Sequence, residues 1–166
     1  MSDHYLKLLP KVKALVFDVD GVFTDGSMFI MPGMEVMRSL NARDTYSVRR
    51  AVDAGLHIGV ITRGRSEDVK KGLEMVGVQD ISLGAMDKWD VLETWKFSYD
   101  WDLSEVLYMG DDIPDIDVLK HVGVPCCPSD AVQEVQDMCK YISPFEGGKG
   151  CVRDVIEKVM KAQDLW

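Results

Sequence analysis

The chain has 166 residues, 46% of them hydrophobic, and its 28 acidic residues against 19 basic ones leave a net charge of −9. That length suits one domain spanning 1–166, able to bury roughly 70% of its unfolded surface. The acidic excess argues against nucleic acid and anionic membranes as partners, because no basic surplus exists to displace counterions, and an anionic small substrate then needs a local positive cluster. The four cysteines, Cys126, Cys127, Cys139 and Cys151, show no CxxC spacing and read as free thiols in a reducing, cytoplasmic setting. The N-terminus has no long apolar run, so neither a signal peptide nor a membrane span is expected.

In chain order, Ala14 to Phe17 reads as a buried strand ending in Asp18 and Asp20, two apart and therefore on one side of an extended chain. Gly21 lets the backbone turn away. Two like charges at a strand tip call for a cation, and Mg²⁺ suits one or two carboxylates plus a phosphate. An acidic surface turn is the plainer alternative. A calcium loop fits poorly, because its fifth position is Val22. A β-hairpin follows over about 27–39, with Met28 to Met31 on one arm, Met34, Val36 and Met37 on the other, and a Pro32-Gly33 turn between them. Its Met-rich surface suits packing on a neighbouring subunit or on its own domain.

Asp44 is expected to cap a helix that stops at Gly55, and His57 to Ile61 is a second strand. A helix from Ser66 to Gly77, a strand at Ile81 to Leu83 and a helix from Lys88 come next. Val106 to Met109 forms a strand broken by Gly110, and Pro114 suits the first turn of the next helix. The pattern continues with a strand at Val122 to Pro125, a helix near Ala131 to Met138, a last strand at Lys140 to Ile142 and a helix from Cys151 to Ala162. Strands alternating with helices indicate an α/β, doubly wound (Rossmann-like) parallel sheet with its ligand at the carboxyl ends of the strands.

Those ends carry Asp18 and Asp20, then Thr62 with Arg63, Gly64 and Arg65, then Asp87 and Lys88, then Gly110, Asp111 and Asp112 with Asp115 after Pro114. Carboxylates hold Mg²⁺, whereas hydroxyl, ammonium and helix N-terminal amides hold phosphate oxygens. Each residue alone has an ordinary explanation as a cap or solvated charge, but coincidence at successive strand ends is the informative feature.

The order Asp-x-Asp-Gly, Thr, Lys, Gly-Asp-Asp-x-x-Asp resembles the haloacid dehalogenase superfamily of phosphohydrolases. The resemblance implies Asp18 as nucleophile and Asp20 as general acid, then base. It implies a Mg²⁺ site of Asp18, Asp20 through its carbonyl, and Asp111, supported by Asp112 and Asp115. Thr62 and Lys88 would hold the phosphoryl group. Phe17 to Gly26, Asn41-Ala42-Arg43-Asp44, Arg49 and Gly147 to Arg153 are similar to the 3-deoxy-D-manno-octulosonate 8-phosphate phosphatase subfamily, capless enzymes of lipopolysaccharide biosynthesis. That resemblance implies a homotetramer with central hairpins and a glycine-rich tail, about 144–153, closing over the site.

A sugar acid phosphate also carries a carboxylate, for which Arg43, Arg49, Arg63 and Arg65 are candidates, since arginine binds carboxylates bidentately, and Arg43 and Arg49 are preferred because the subfamily motif covers them. Asn41 and Asp44 are candidates for its hydroxyls, and Gly148 and Arg153 for the tail's contribution. The chain departs from the subfamily in reading Thr62-Arg63-Gly64-Arg65 where Thr-Gly-Arg is usual. The alternatives are a nononate or neuraminate 9-phosphate phosphatase, and a phospho-Asp receiver domain. The position of Asp111-Asp112 after Thr62 and Lys88 argues against a receiver.

Overall fold

The structure, a computed structural model, describes residues 5–33 and 36–166. Six parallel strands form one sheet: β1 (Ala14–Phe17), β4 (His57–Ile61), β5 (Asp80–Ser82), β6 (Val106–Met109), β7 (Val124–Cys127) and β8 (Tyr141–Ile142), in the order β5-β4-β1-β6-β7-β8. β1 is central. The chain runs outward from it to one edge through β4 and β5, and to the other through β6, β7 and β8. The switch point therefore lies at β1 between β4 and β6, where an open sheet leaves a crevice beyond its carboxyl ends. Phe17 is level with Val60 and Met109, so the residues that follow these strands emerge together.

Both faces of the sheet are covered, which explains strands that are apolar throughout. Successive residues alternate between two cores. Leu15, Phe17, Leu107 and Met109 join Val48, Ala51, Val152 and Ile156 from α1 (Ala42–Asp53) and α6 (Cys151–Ala162). Ala14, Val16, Val106 and Tyr108 join Leu92, Val118 and Val135 from α3 (Lys88–Tyr99), α4 (Ile116–Leu119) and α5 (Gln133–Gln136). α2 (Glu67–Met75) adds Leu73 to the first core. Gly59 admits Trp95 of α3 closely, because a Cβ there would lie 2.8 Å from the indole.

Several local expectations shift. Asn41, not Asp44, caps α1, its side chain accepting from the Arg43 amide at 2.8 Å. The fifth strand of the sheet runs over Val124–Cys127, not Val122 to Pro125, because pairing with Met109 and Tyr141 carries it through both cysteines. α5 keeps a single turn of the longer expected helix. The hairpin pairs β2 (Phe29–Ile30) with β3 (Val36–Met37), Phe29 opposite Met37 and Ile30 opposite Val36, and the expected part of Met34 lies outside the described residues. The hairpin does not fold its apolar surface onto its own sheet: Phe29 is 63% and Ile30 75% exposed. Cys126, Cys127 and Cys151 are buried and Cys139 is half-buried, all as free thiols. Among the described residues no helix is long and apolar enough to cross a membrane.

Ile156 is fully buried on the inner face of α6. Its replacement by alanine is expected to lower unfolding stability by about 2–5 kcal/mol through lost transfer energy and a residual cavity. Urea denaturation with an unchanged slope is the check.

Candidate active site

The three central strands deliver the site. β1 ends at Asp18, whose Oδ1 accepts from the Val19 amide at 2.6 Å. The chain then makes an irregular helical turn, Val19–Phe23, interrupted by non-helical backbone at Asp20 and Gly21. Gly21 has φ +89°, and a Cβ there would lie 2.0 Å from Asp111 Oδ2, so this loop and the loop after β6 meet only across a glycine. β4 ends in buried Thr62, whose hydroxyl accepts from the Gly64 amide at 3.0 Å. Asp87 caps α3, which places Lys88 in its first turn, pointing inward and only 3% exposed.

The Lys88 ammonium sits 2.7 Å from Asp18 Oδ2 and 2.7 Å from Asp115 Oδ1. Asp115 is completely buried and fully occupied. Its Oδ1 also accepts from the Tyr108 hydroxyl at 2.6 Å, and its Oδ2 accepts from the amides of Asp111 and Asp112 at 3.0 and 3.2 Å. It therefore acts as the anchor that aims Lys88 and folds the Gly110-Asp111-Asp112 loop. A Cβ on Gly110 would come within 2.3 Å of the Asp115 carboxyl carbon. Asp112 turns outward, capping the next helical turn through the Ile113 amide at 2.7 Å.

Asp18, Asp111 and Asp115 each offer an oxygen within 4.8 Å of the others, and Asp111 Oδ1 is buried without a hydrogen-bond partner. One ammonium faces three carboxylates, so charge is unbalanced. Burial and then the neighbouring Asp115 push Asp18 from the ordinary 3.8 up to about 7, against the pull of Lys88. Burial and then Asp18 push Asp111 up to about 8. Burial acts against the charged form of Lys88, but Asp115 and Asp18 outweigh it and hold the ammonium above its ordinary value. An orphaned hard oxygen in an anionic cluster suits a small divalent cation such as Mg²⁺.

The profile described as haloacid dehalogenase-like hydrolase matches residues 73–154. The 3-deoxy-D-manno-octulosonate 8-phosphate phosphatase of Yersinia pestis is 26% identical over 164 residues, covering 99% of this chain and 88% of that one. Its Salmonella typhi counterpart is 28% identical, covering 98% and 87%. The match to haloacid dehalogenase-like hydrolases thus covers just under half of the chain, and the likeness to these phosphatases runs along nearly all of it. The crystal structure of the Yersinia pestis phosphatase superposes with a TM-score of 0.95 at 26% identity, covering 99% of this chain and 89% of that one. The fold is shared also with the Moraxella catarrhalis phosphatase, solved with magnesium, phosphate and KDO, at TM-score 0.95 and 24% identity over 99% of this chain and 94% of that one.

Of the sequence-predicted residues in this chain, the strand-end set converges and most of the second set does not. Asp44 is fully buried, and one of its oxygens accepts from the Arg153 amide at 2.8 Å, so it pins α6 to α1 and cannot meet a substrate hydroxyl. Arg49 donates to the Met75 carbonyl at the far end of α2, away from the strand tips. The Arg153 guanidinium lies along α6, 3.4 Å from Glu157 and over Trp166. The Asn41 amide donates to the Gly148 carbonyl at 3.0 Å and ties the tail to the start of α1, while the Gly148 amide donates to the Val22 carbonyl at 2.9 Å and ties it to the Asp18 loop. Arg43 is exposed beside a cleft of about 480 Å³ at the start of α6. Arg65, and not Arg63, lines a groove of about 420 Å³ with Met28, Val36, Met37 and Arg38. Two site residues went unread in the sequence, Tyr108 beneath Asp115 and Arg38, which grips Asp20 at 2.6 Å. A tyrosine inside a buried strand is a signal of sorts, because its hydroxyl needs a partner. Arg38 has none.

Because Asp18 and Asp111 ionise above their ordinary value, the native state without metal favours them protonated. Their stability contribution is present below about pH 4 and lost as pH rises through about 7 to 8. Asp111→Asn is expected to flatten the pH-dependent fall of the metal-free melting temperature and to abolish its rise on adding Mg²⁺. Thermal melts from pH 5 to 9, with and without Mg²⁺, measure both.

Proposed function

We propose that this protein is a Mg²⁺-dependent phosphatase that converts 3-deoxy-D-manno-octulosonate 8-phosphate to the free sugar acid and phosphate, within lipopolysaccharide biosynthesis. The observation carrying the reading is the buried Asp18–Lys88–Asp115 bridge beside the orphaned Asp111 oxygen, at the switch point of the sheet. Support for the substrate comes from curated relatives named for it along nearly their whole length.

In this reading the phosphoryl group lies between Asp18, Thr62 and Lys88. Asp18 Oδ2 attacks phosphorus in line, the bond to the sugar oxygen breaks, and Asp20 gives that oxygen a proton. Asp20 then takes a proton from the water that hydrolyses the aspartyl-phosphate, which restores Asp18. Lys88 and Thr62 stabilise charge on the phosphoryl oxygens from fixed positions, and the lysine costs no reorganisation because Asp115 already aims it. Asp18, Asp111 and the Asp20 carbonyl would hold the Mg²⁺, which supplies charge neutralisation to the phosphoryl group. Arg65, in the groove that Arg38 also lines, is the arginine we assign to the sugar acid. Asp115 supports the metal loop from behind through the amides of Asp111 and Asp112, whereas the Asp112 carboxylate faces outward.

The test is phosphate release from octulosonate 8-phosphate, nononate 9-phosphate and neuraminate 9-phosphate, each with Mg²⁺ or EDTA. We expect metal-dependent release with the highest kcat/KM for the eight-carbon acid. Preference for a nine-carbon acid would keep the chemistry and replace the substrate. A long-lived phospho-Asp18 with no turnover would instead indicate a receiver-like role. Asp18→Asn is expected to lower kcat on the order of 10⁴-fold or more while the protein melts as before.

The exposed apolar hairpin supports assembly as a homotetramer through the hairpins, and the free thiols support the cytoplasm as its setting. Met28, Phe29, Ile30 and Met37 are all exposed apolar residues on this small element. Ile30→Lys is expected to yield a smaller species in sedimentation velocity. A variant with unchanged mass would place the interface elsewhere.

A further inference from the structure

Arg38 enters the site from an unexpected direction. It follows β3 directly, so the return arm of the hairpin supplies it, yet its side chain is only 9% exposed. Its Nε donates to Asp20 Oδ1 at 2.6 Å and its Nη2 donates to Oδ2 at 3.0 Å. This side-on fork fixes the plane of the carboxylate as well as its position. Asp20 itself lies in the broken turn after β1, with φ −74° and ψ 117°, where no regular helix orients its side chain. Among the described residues, Arg38 is the side chain that grips it.

The geometry also shows which oxygen is held less tightly. A Cβ placed on Gly64 would lie 3.3 Å from Thr62 Oγ1, 3.4 Å from Asp20 Oδ2 and 3.5 Å from Arg38 Nη2. These three atoms surround one glycine, so Oδ2 faces the threonine side of the site, whereas Oδ1 is the more tightly held oxygen. Burial of the guanidinium strengthens the hold, since a fork in a partly dry site is screened less than one in water.

We propose that Arg38 is a positioning residue for Asp20, aiming Oδ2 at the oxygen that leaves phosphorus. The inference rests on the phosphatase reading above. In the step it serves, the bond between Asp18 Oδ2 and phosphorus forms and the bond from phosphorus to the ester oxygen breaks. The proton on Asp20 Oδ2 passes to that oxygen, and Arg38 remains bound to Oδ1. An alkoxide leaving group needs that proton, whereas a nitrophenolate does not. Because the arginine is carried by the hairpin, whatever fixes the hairpin also fixes the acid.

The test compares kcat/KM of wild type, Arg38→Ala and Arg38→Lys on octulosonate 8-phosphate, simple alkyl phosphates and 4-nitrophenyl phosphate. This constant reports steps up to aspartyl-phosphate formation, so the later role of Asp20 as base does not enter. General acid assistance is worth about 10²–10⁴-fold. Arg38→Ala is therefore expected to lose about 10- to 100-fold on the alkyl esters and less than about threefold on the nitrophenyl ester. Arg38→Lys, which keeps the charge without the fork, is expected to fall between the two. In an Asp20→Asn background, removing Arg38 should cost little more. An equal loss on every ester, or independent losses in the double variant, would overturn the proposal and leave the phosphatase reading intact. Failure of the wild type on every ester would instead overturn that reading, and this one with it.

Discussion

The Lys88 ammonium, buried between Asp18 and Asp115, is the interaction on which the rest of the site depends. A buried charge left without a partner costs several kcal/mol, so the three groups must be placed together or not at all. Each comes from a different segment: the end of β1, the first turn of α3 and the turn before α4. The bridge thus ties the two loops that carry Asp18 and Asp111 to the helix that carries the cation. It does not neutralise them. Three carboxylates share one ammonium, and the excess negative charge makes the cluster receptive to a metal ion and a phosphoryl group held next to it.

The sheet makes this possible by its connectivity. β1 lies between β4 and β6 in parallel register, so their carboxyl ends emerge at one level, and the chain departs from β1 to opposite edges. Close packing elsewhere keeps the tips rigid. Tyr108, in the middle of β6, sends its hydroxyl to Asp115, and Gly21 allows the Asp111 loop to approach where any side chain would collide. The glycine-rich tail closes the flank of the same loop: a Cβ on Gly147 would lie 2.1 Å from the Gly21 carbonyl oxygen. The hairpin gives its apolar surface to solvent, and it is also the element that supplies Arg38.

Asp18, Thr62, Lys88 and Asp111 were readable in the sequence because each follows an apolar strand or opens a helix, and strand ends in a doubly wound sheet share one edge. Arg38, Asp44, Arg49 and Arg153 were not readable. Their roles depend on which neighbour packing brings to one side of a helix or hairpin: Asp20 for Arg38, the Met75 carbonyl for Arg49, and for Asp44 the Arg153 amide more than a hundred residues away. An arginine next to a motif looks the same whether it holds a ligand, a helix end as Arg49 does, or an aromatic ring as Arg153 does.

The sequence by itself determined the alternation of buried strands and helices, and with it the parallel sheet and the acidic, hydroxyl and ammonium groups at its carboxyl edge. These follow from local periodicity and from residues adjacent in the chain. Only the tertiary structure decided that Asp115 is spent on Lys88 and Tyr108, that Asp112 faces outward, that Arg65 and not Arg63 borders the groove, and that Asp20 is held by the hairpin. Hydrogen bonds and ion pairs between distant segments are set by packing, and packing is a property of the whole folded chain.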